Sequence, residues 1–229
     1  MQWNYTWIIG NGKIKKSEFS ILKYFRTNSF STPVIGVHGL RKEFTTGVDE
    51  KVSRLPCKKN SEDVTTKIAV RNMSLKVEPG EVFGLLGHNG AGKTTTMRMI
   101  IQEEASTSGK VRIGEEDITS NQSAAFQQLG YCPQFDAVWQ RVTVKEHLEV
   151  YAAIRGVPAD KIGGLVEGYM TGLRIKEHEK KYAKDCSGGT KRKLSYAMAM
   201  LGDPKIVLLG NLSYHYNLDI IDEQFKITY

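Results

Sequence analysis

The sequence predicts an α/β fold: a mostly parallel sheet with a helical block inserted into it. Three observations carry this reading. From Val34 to Gly210, short β-rich runs alternate with longer helical patterns, the order that βαβ units impose. A glycine-rich turn stands between one apolar run and the head of a helical pattern. A long stretch of helical period then separates the early strands from a last apolar run.

The expected strands are VIGV (34–37), KIAVRNMSLKV (67–77), EVFGLL (81–86), KVRI (110–113) and KIVLL (205–209). EVFGLL and KIVLL are apolar on both faces, as central parallel strands are. The segment Gly47 to Lys67 is polar, charged and interrupted by Pro56, so it reads as a mobile loop between two strands. TTTMRMII after the glycine-rich turn has a helical pattern. Between Val142 and Lys184 the pattern is helical again, in TVKEHLEVYAAIRGV and KIGGLVEGYMTGLRI, and a helical subdomain is expected over about 135–186. Residues 1–33 and 211–229 are rich in Asn, Ile, Lys, Tyr and Phe without a convincing period, so both are assigned to extensions outside a core spanning 34–210. In the second extension only KITY (226–229) has strand character.

The 229 residues, 40% hydrophobic and 25% charged, suit one domain with an appended subdomain. The net charge of +7 is spread along the chain, which fits a basic solvated surface better than a nucleic-acid stripe. Cys57, Cys132 and Cys186 form no CxxC pair or Cys/His cluster, which excludes a zinc shell and suits a reducing compartment. No stretch approaches the ~18 consecutive apolar residues of a bilayer span, and the first residues lack the pattern of a signal peptide. Any membrane connection is expected to come through a partner.

Gly87-His88-Asn89-Gly90-Ala91-Gly92-Lys93-Thr94 fits G-x-x-x-x-G-K-[ST] at every fixed position, directly after a strand and before a helix. Glycines there let successive backbone N–H groups converge on phosphate oxygens, and the helix start adds its positive dipole end. Gly87, Asn89, Gly90, Ala91, Gly92 and Thr95 are the candidate phosphate contacts. Lys93 is expected to reach the β and γ phosphates, and the Thr94 hydroxyl to ligate Mg²⁺. This is a P-loop NTPase signature, with ATP and Mg²⁺ as the ligands.

GLLGHNGAGKTTTM also resembles the Walker A loop of ABC transporter nucleotide-binding domains, most closely the lipid-exporting subfamily A. LGYCPQFDAVWQRVTVKEHL resembles that family's Q-loop region and places its glutamine at Gln134, where the resemblance implies a contact with Mg²⁺ and signalling toward a membrane domain. CSGGTKRKLSYAMAMLGDP resembles the signature motif, with Cys186 in the usual leucine position. The resemblance implies that Ser187, Gly188 and Gly189 address a γ-phosphate held by an opposite subunit. Phe44 matches the adenine-stacking aromatic, with edge packing as the alternative. Lys191-Arg192-Lys193 reads as a solvated face of the signature helix.

The resemblance breaks at the Walker B strand. Ile206 to Leu209 supplies the apolar run, but Gly210 and Asn211 occupy the positions where the family has Asp and Glu. Glycine offers a metal no ligand, and an asparagine amide cannot take a proton from water. The D-loop and switch histidine are also missing, so no catalytic residue is assigned and the C-terminal part of the core is expected to be absent. So abrupt a break suggests a truncated or alternatively spliced product, or a reading frame carried into non-coding sequence. In the family the strand after Walker B lies between the Walker B and P-loop strands. Its loss is expected to leave a vacant place in the sheet.

Two functional readings follow. In one the chain is the ATPase module of a lipid-type ABC transporter, dimerising head-to-tail with a second cassette and coupled to a transmembrane domain at the cytosolic face of a membrane. In the other it is a nucleotide-binding pseudo-ATPase or a non-functional fragment, soluble in the cytosol if alone. A third, a cassette working in translation or DNA repair, is opposed by the subfamily A character of HNGAGKTTT and SGGTKRKLS.

Overall fold

The computed structural model describes residues 4–10 (as backbone), 33–46 and 65–210. The strands are β1 (Asn4–Gly10), β2 (Ile35–Thr46), β3 (Thr65–Val77), β4 (Val82–Gly87), β5 (Ser108–Ile113), β6 (Glu116–Asp117), β7 (Leu129–Cys132) and β8 (Ile206–Leu209). The helices are α1 (Lys93–Ile100), α2 (Gln122–Gln127), α3 (Val144–Ile154), α4 (Ala159–Gly172) and α5 (Gly188–Met200). All five expected strands form, and β1, β6 and β7 join them. Residues 47–64 of the expected loop lie outside the described residues, its last residues already belonging to β3, and so does KITY.

Two sheets form, one in the order β4-β1-β8-β7 and one in the order β3-β2-β5-β6. The expectation of a mostly parallel sheet is met in one ladder alone, β7 with β8. The second sheet is antiparallel throughout. In the first, β1 runs antiparallel to both β4 and β8, which leaves those two parallel to each other but separated. The place between the P-loop strand and the last apolar strand is therefore filled, and by the first described strand of the chain.

Side-chain alternation along β8 divides the core. Ile206 and Leu208 pack with Met97, Met99 and Ile100 of α1 and with Ile35, Val37 and Val77 of the second sheet. Val207 and Leu209 face the opposite way, onto Leu148 of α3, Met170 of α4 and Leu194 of α5. A strand buried on both faces needs apolar residues at every position, which is why IVLL carries no alternation. The same expectation fails for β4, where Leu86 is 50% exposed. Among the described strands β4 is an edge, paired only with β1.

The helical block begins at a reciprocal cap. The Thr143 hydroxyl accepts from Glu146 N at 3.3 Å, and the Glu146 carboxylate accepts from Thr143 N at 2.8 Å, satisfying backbone groups at both ends of the first turn. One turn on, His147 is fully buried. Its Nε2 accepts from Trp139 N at 2.9 Å and its Nδ1 lies 2.7 Å from Thr143 O, so Nδ1 carries the proton of the neutral ring. His147 thus fastens the segment after β7 to the block.

Candidate functional site

The P-loop is built by the end of β4 and the start of α1. After Gly87 the chain turns, with Ala91 N donating to His88 O at 3.2 Å. Gly90 and Gly92 take φ of 85° and 87°, the left-handed region that favours glycine. At Gly92 a side chain is excluded twice over, since a Cβ there would stand 2.5 Å from Ala69 O. The loop is seated directly on β3.

Gly92 is the N-cap of α1, which has no side-chain cap and no acidic residue in its first turn. The first amide donors of a helix have no intrahelical partner, and they carry the positive end of its dipole. They are free to serve an anion. The Lys93 ammonium folds over the same loop, donating to Gly87 O at 2.6 Å and His88 O at 2.8 Å. Asn89, Gly90, Ala91 and Thr94 are exposed, while Gly87, Gly92, Lys93 and Thr95 are half-buried.

Phe44 lies near the loop along the sheet. It pairs with Lys67 of β3, two residues from the Ala69 that supports Gly92, or about 7 Å at the usual rise of a strand. The ring is half-buried, with Lys42 Nζ 4.8 Å from its centroid. That ammonium also pairs with Glu104 at 2.6 Å and donates to Ala105 O at 2.8 Å.

Gln134 follows β7 and is exposed. Its backbone abuts the end of β8, because Gly210 N donates to Cys132 O at 2.8 Å and a Cβ on Gly210 would meet Gln134 N at 2.9 Å. The position where the family resemblance calls for a carboxylate is thus closed against the Q-loop backbone. Burial, the largest influence on the Cys132 thiol beside it, pushes its pKa up to about 11.

At the signature, Ser187 caps α5, its hydroxyl accepting from Thr190 N at 3.1 Å. Ser187 and Gly188 are exposed and Gly189 is half-buried, while Cys186 is buried with its thiol directed at Tyr182 O, 3.4 Å away. Met97, Met99 and Ile100 of α1 and Leu194 and Ala197 of α5 lie in different core clusters. The P-loop and the signature thus stand on separate parts of the molecule.

The reading of Lys191-Arg192-Lys193 as a solvated face is corrected by Arg192, whose side chain is only 14% exposed. Its guanidinium donates to Gly210 O at 2.7 Å, to Asp136 Oδ1 at 3.2 Å and to Pro133 O. One side chain thereby ties the signature helix, the Q-loop and the end of β8. Lys193 Nζ also turns inward, to Leu173 O at 2.9 Å. Sequence reasoning missed Arg192 because backbone carbonyls, which accept two of its three bonds, leave no mark in the residue pattern.

The loop fits phosphate: an uncapped helix start, glycines at two left-handed positions and one lysine over the mouth. For Mg²⁺ the chain offers the exposed Thr94 hydroxyl and Gln134 amide. Among the described residues no group of three His, Cys, Asp or Glu is placed to hold a metal, so a cation here would depend largely on phosphate oxygens and water.

A glycine-rich loop joining a sheet strand to an uncapped helix defines the chain as a P-loop NTPase fold. The ABC transporter family matches residues 70–211, and the chain belongs to that family. It is 46% identical over 146 residues to human phospholipid-transporting ATPase ABCA3, covering 64% of this chain and 9% of that protein. With rat cholesterol transporter ABCA5 the identity is 37% over 182 residues, 79% of this chain and 10% of the relative. The chain therefore spans about a tenth of the length of these relatives. Among solved structures, cbiO1 from Clostridium perfringens, part of the ABC transporter complex cbiONQ, aligns with a TM-score of 0.62 at 18% identity, over 86% of this chain and 74% of that one. An ATP-binding subunit of an ABC transporter aligns with a TM-score of 0.58, also at 18% identity, over 85% and 75%. These likenesses show the fold. The chain is an ABC ATP-binding module related to subfamily A lipid transporters.

Proposed function

We propose that this chain binds MgATP through Gly87–Thr95 and does not hydrolyse it at an appreciable rate. The observation that carries this reading is the helix start at Gly92, left without a side-chain cap and covered by the Lys93 ammonium. Bound ATP supplies the concentrated negative charge that such a start stabilises. Lys93 exchanges its two carbonyl partners for the β and γ phosphates, Thr94 and Gln134 hold the Mg²⁺ and its water, and Phe44 stacks on adenine. At the end of β8 Gly210 has no side chain, and its carbonyl is engaged by Arg192. Neither Gly210 nor Asn211 can take a proton from an attacking water.

In the family setting, residues 34–210 would serve as the cassette, with about 135–186 as its helical subdomain and 211–229 as an addition. The assignment of 1–33 to an extension outside the core is corrected for Asn4–Gly10, which pair within its sheet. Ser187 to Gly189 would address nucleotide held by a second cassette packed head-to-tail, and the exposed Q-loop would face a transmembrane domain that carries lipid, at the cytosolic side of its membrane. No described helix is long and apolar enough to cross a bilayer; the transmembrane domain would lie on this or another chain of the intact protein.

An equilibrium titration with a fluorescent ATP analogue tests the binding. Lys93→Ala is expected to weaken it by about tenfold or more, on the order of 1.4 kcal/mol. Equal affinity in the two chains would remove the P-loop from the account.

A further inference from the structure

Strand β4, which delivers the P-loop, has one ladder partner among the described strands, and that partner is β1. The pairing is long for so short a strand: Asn4 lies opposite Gly87, and the register continues through Tyr5 with Leu86, Thr6 with Leu85, Trp7 with Gly84 and Ile8 with Phe83 to Ile9 with Val82. On its other edge β1 pairs Trp7 with Leu209, Ile8 with Leu208, Ile9 with Val207 and Gly10 with Ile206. Residues 7–9 are thus bonded on both sides. The ladder reaches the first glycine of the P-loop on one edge and the residue before Gly210 on the other.

Residues 4–10 also lie outside the family match, which begins at residue 70. The sheet that carries both motif ends is therefore completed by a segment the family match does not include. An edge strand without its ladder exposes unpaired N–H and C=O groups, and β4 is half-exposed along most of its length, with Val82 and Phe83 packed against the core. The donor amides of the loop keep a fixed direction only while β4 does. From this we infer that Asn4–Gly10 is the positioning strand of the nucleotide site: it holds the P-loop strand at a set distance from the end of β8, and nucleotide affinity depends on its pairing. The inference rests on the P-loop reading given above and adds to it a part of the chain that no motif marks.

The full chain provides the test. Thr6→Cys combined with Leu85→Cys places two thiols at register partners, and opposed antiparallel positions lie within disulfide reach. Thr6→Cys combined with Phe83→Cys is the off-register control. The in-register pair is expected to cross-link in mild oxidant, the control not, and the cross-linked chain to keep its affinity for a fluorescent ATP analogue. Ile8→Pro interrupts the ladder in the doubly paired region. It is expected to weaken that affinity by about tenfold or more, and to accelerate amide exchange at residues 82–87 and 206–209 while 144–154 and 159–172 keep their protection. Absence of the in-register cross-link overturns the inference, as does an Ile8→Pro chain with unchanged affinity and exchange. If Ile8→Pro unfolds the helices as well, the cross-linked chain decides: retained affinity supports the inference and lost affinity overturns it. A chain that cross-links in register but binds no nucleotide in any form overturns the P-loop reading, leaving β1 a structural strand only.

Discussion

Gly210 is the residue at which the family pattern and this chain part, and its surroundings determine what a repair would do. The family resemblance suggests that Gly210→Asp with Asn211→Glu should restore the missing carboxylates. The structure adds an obstacle, because the first atom of any side chain at 210 lands 2.9 Å from Gln134 N. The Q-loop backbone must move to admit it. Gly210→Asp alone is therefore expected to lower the melting temperature, and calorimetry of the two chains checks this. Arg192 fixes the same junction from the other side. Removing its guanidinium leaves Gly210 O and Pro133 O short of a donor in a largely buried place, so Arg192→Ala is expected to cost about 2 kcal/mol, read from urea midpoints. Arg192→Lys restores the charge but not the forked geometry, and is expected to recover only part of the loss. The Cys132 thiol beside this junction gives a pH test. Its pKa is raised to about 11 from the ordinary 9.0, so the folded state favours the protonated form. The stability it contributes is complete below about pH 9 and is lost as pH rises toward about 11. Alkylation of Cys132 in the native chain is expected to stay slow at pH 8 and to become fast in urea.

Among the elements, the legible ones had a pattern that burial on one face, or on both, writes into sequence. β2, β3, β5 and β8, the P-loop helix and the long helices α3 and α4 were all readable in outline. Thr143 and Glu146 at the head of α3 form the T-x-x-E signal of a capping box, and Thr143→Ala is expected to destabilise the chain by about 1 kcal/mol, measurable as a shift in thermal midpoint. β7 went unread because Leu129 to Cys132 is only four residues long and runs straight into the Q-loop. β1 went unread for a different reason. NYTWIIG lacks a sustained alternation and announces itself only through the β-propensity of Tyr, Thr, Trp and Ile. Its neighbourhood in the sequence gave no reason to look for a strand that travels back to the centre of a sheet. The expected vacancy followed from the family order of strands, and what fills it could be found only by tracing the ladders.

For the molecule as a whole, the site separates into two kinds of legibility. The P-loop residues are marked by their spacing, while the partners of Gln134 and Ser187 to Gly189 are implied by the family resemblance. Their support is marked by neither: Ala69 beneath Gly92, Arg192 across three segments, and β1 beside β4 come from distant parts of the chain and act largely through backbone atoms. The proposed function is that of a cassette which binds phosphate at Gly87–Thr95 while positions 210 and 211 offer no carboxylate to activate water. A positioned general base is worth ~10²–10⁴ in rate, so binding and turnover should part company. The direct measurement is ATP binding and release of labelled phosphate from γ-labelled ATP, followed on one preparation of the full chain with Lys93→Ala alongside. The expected result is saturable binding that weakens in the variant, with phosphate release at background in both. Phosphate release that is steady, catalytic and abolished by Lys93→Ala would contradict it, and would mean that a group other than residues 210 and 211 activates water.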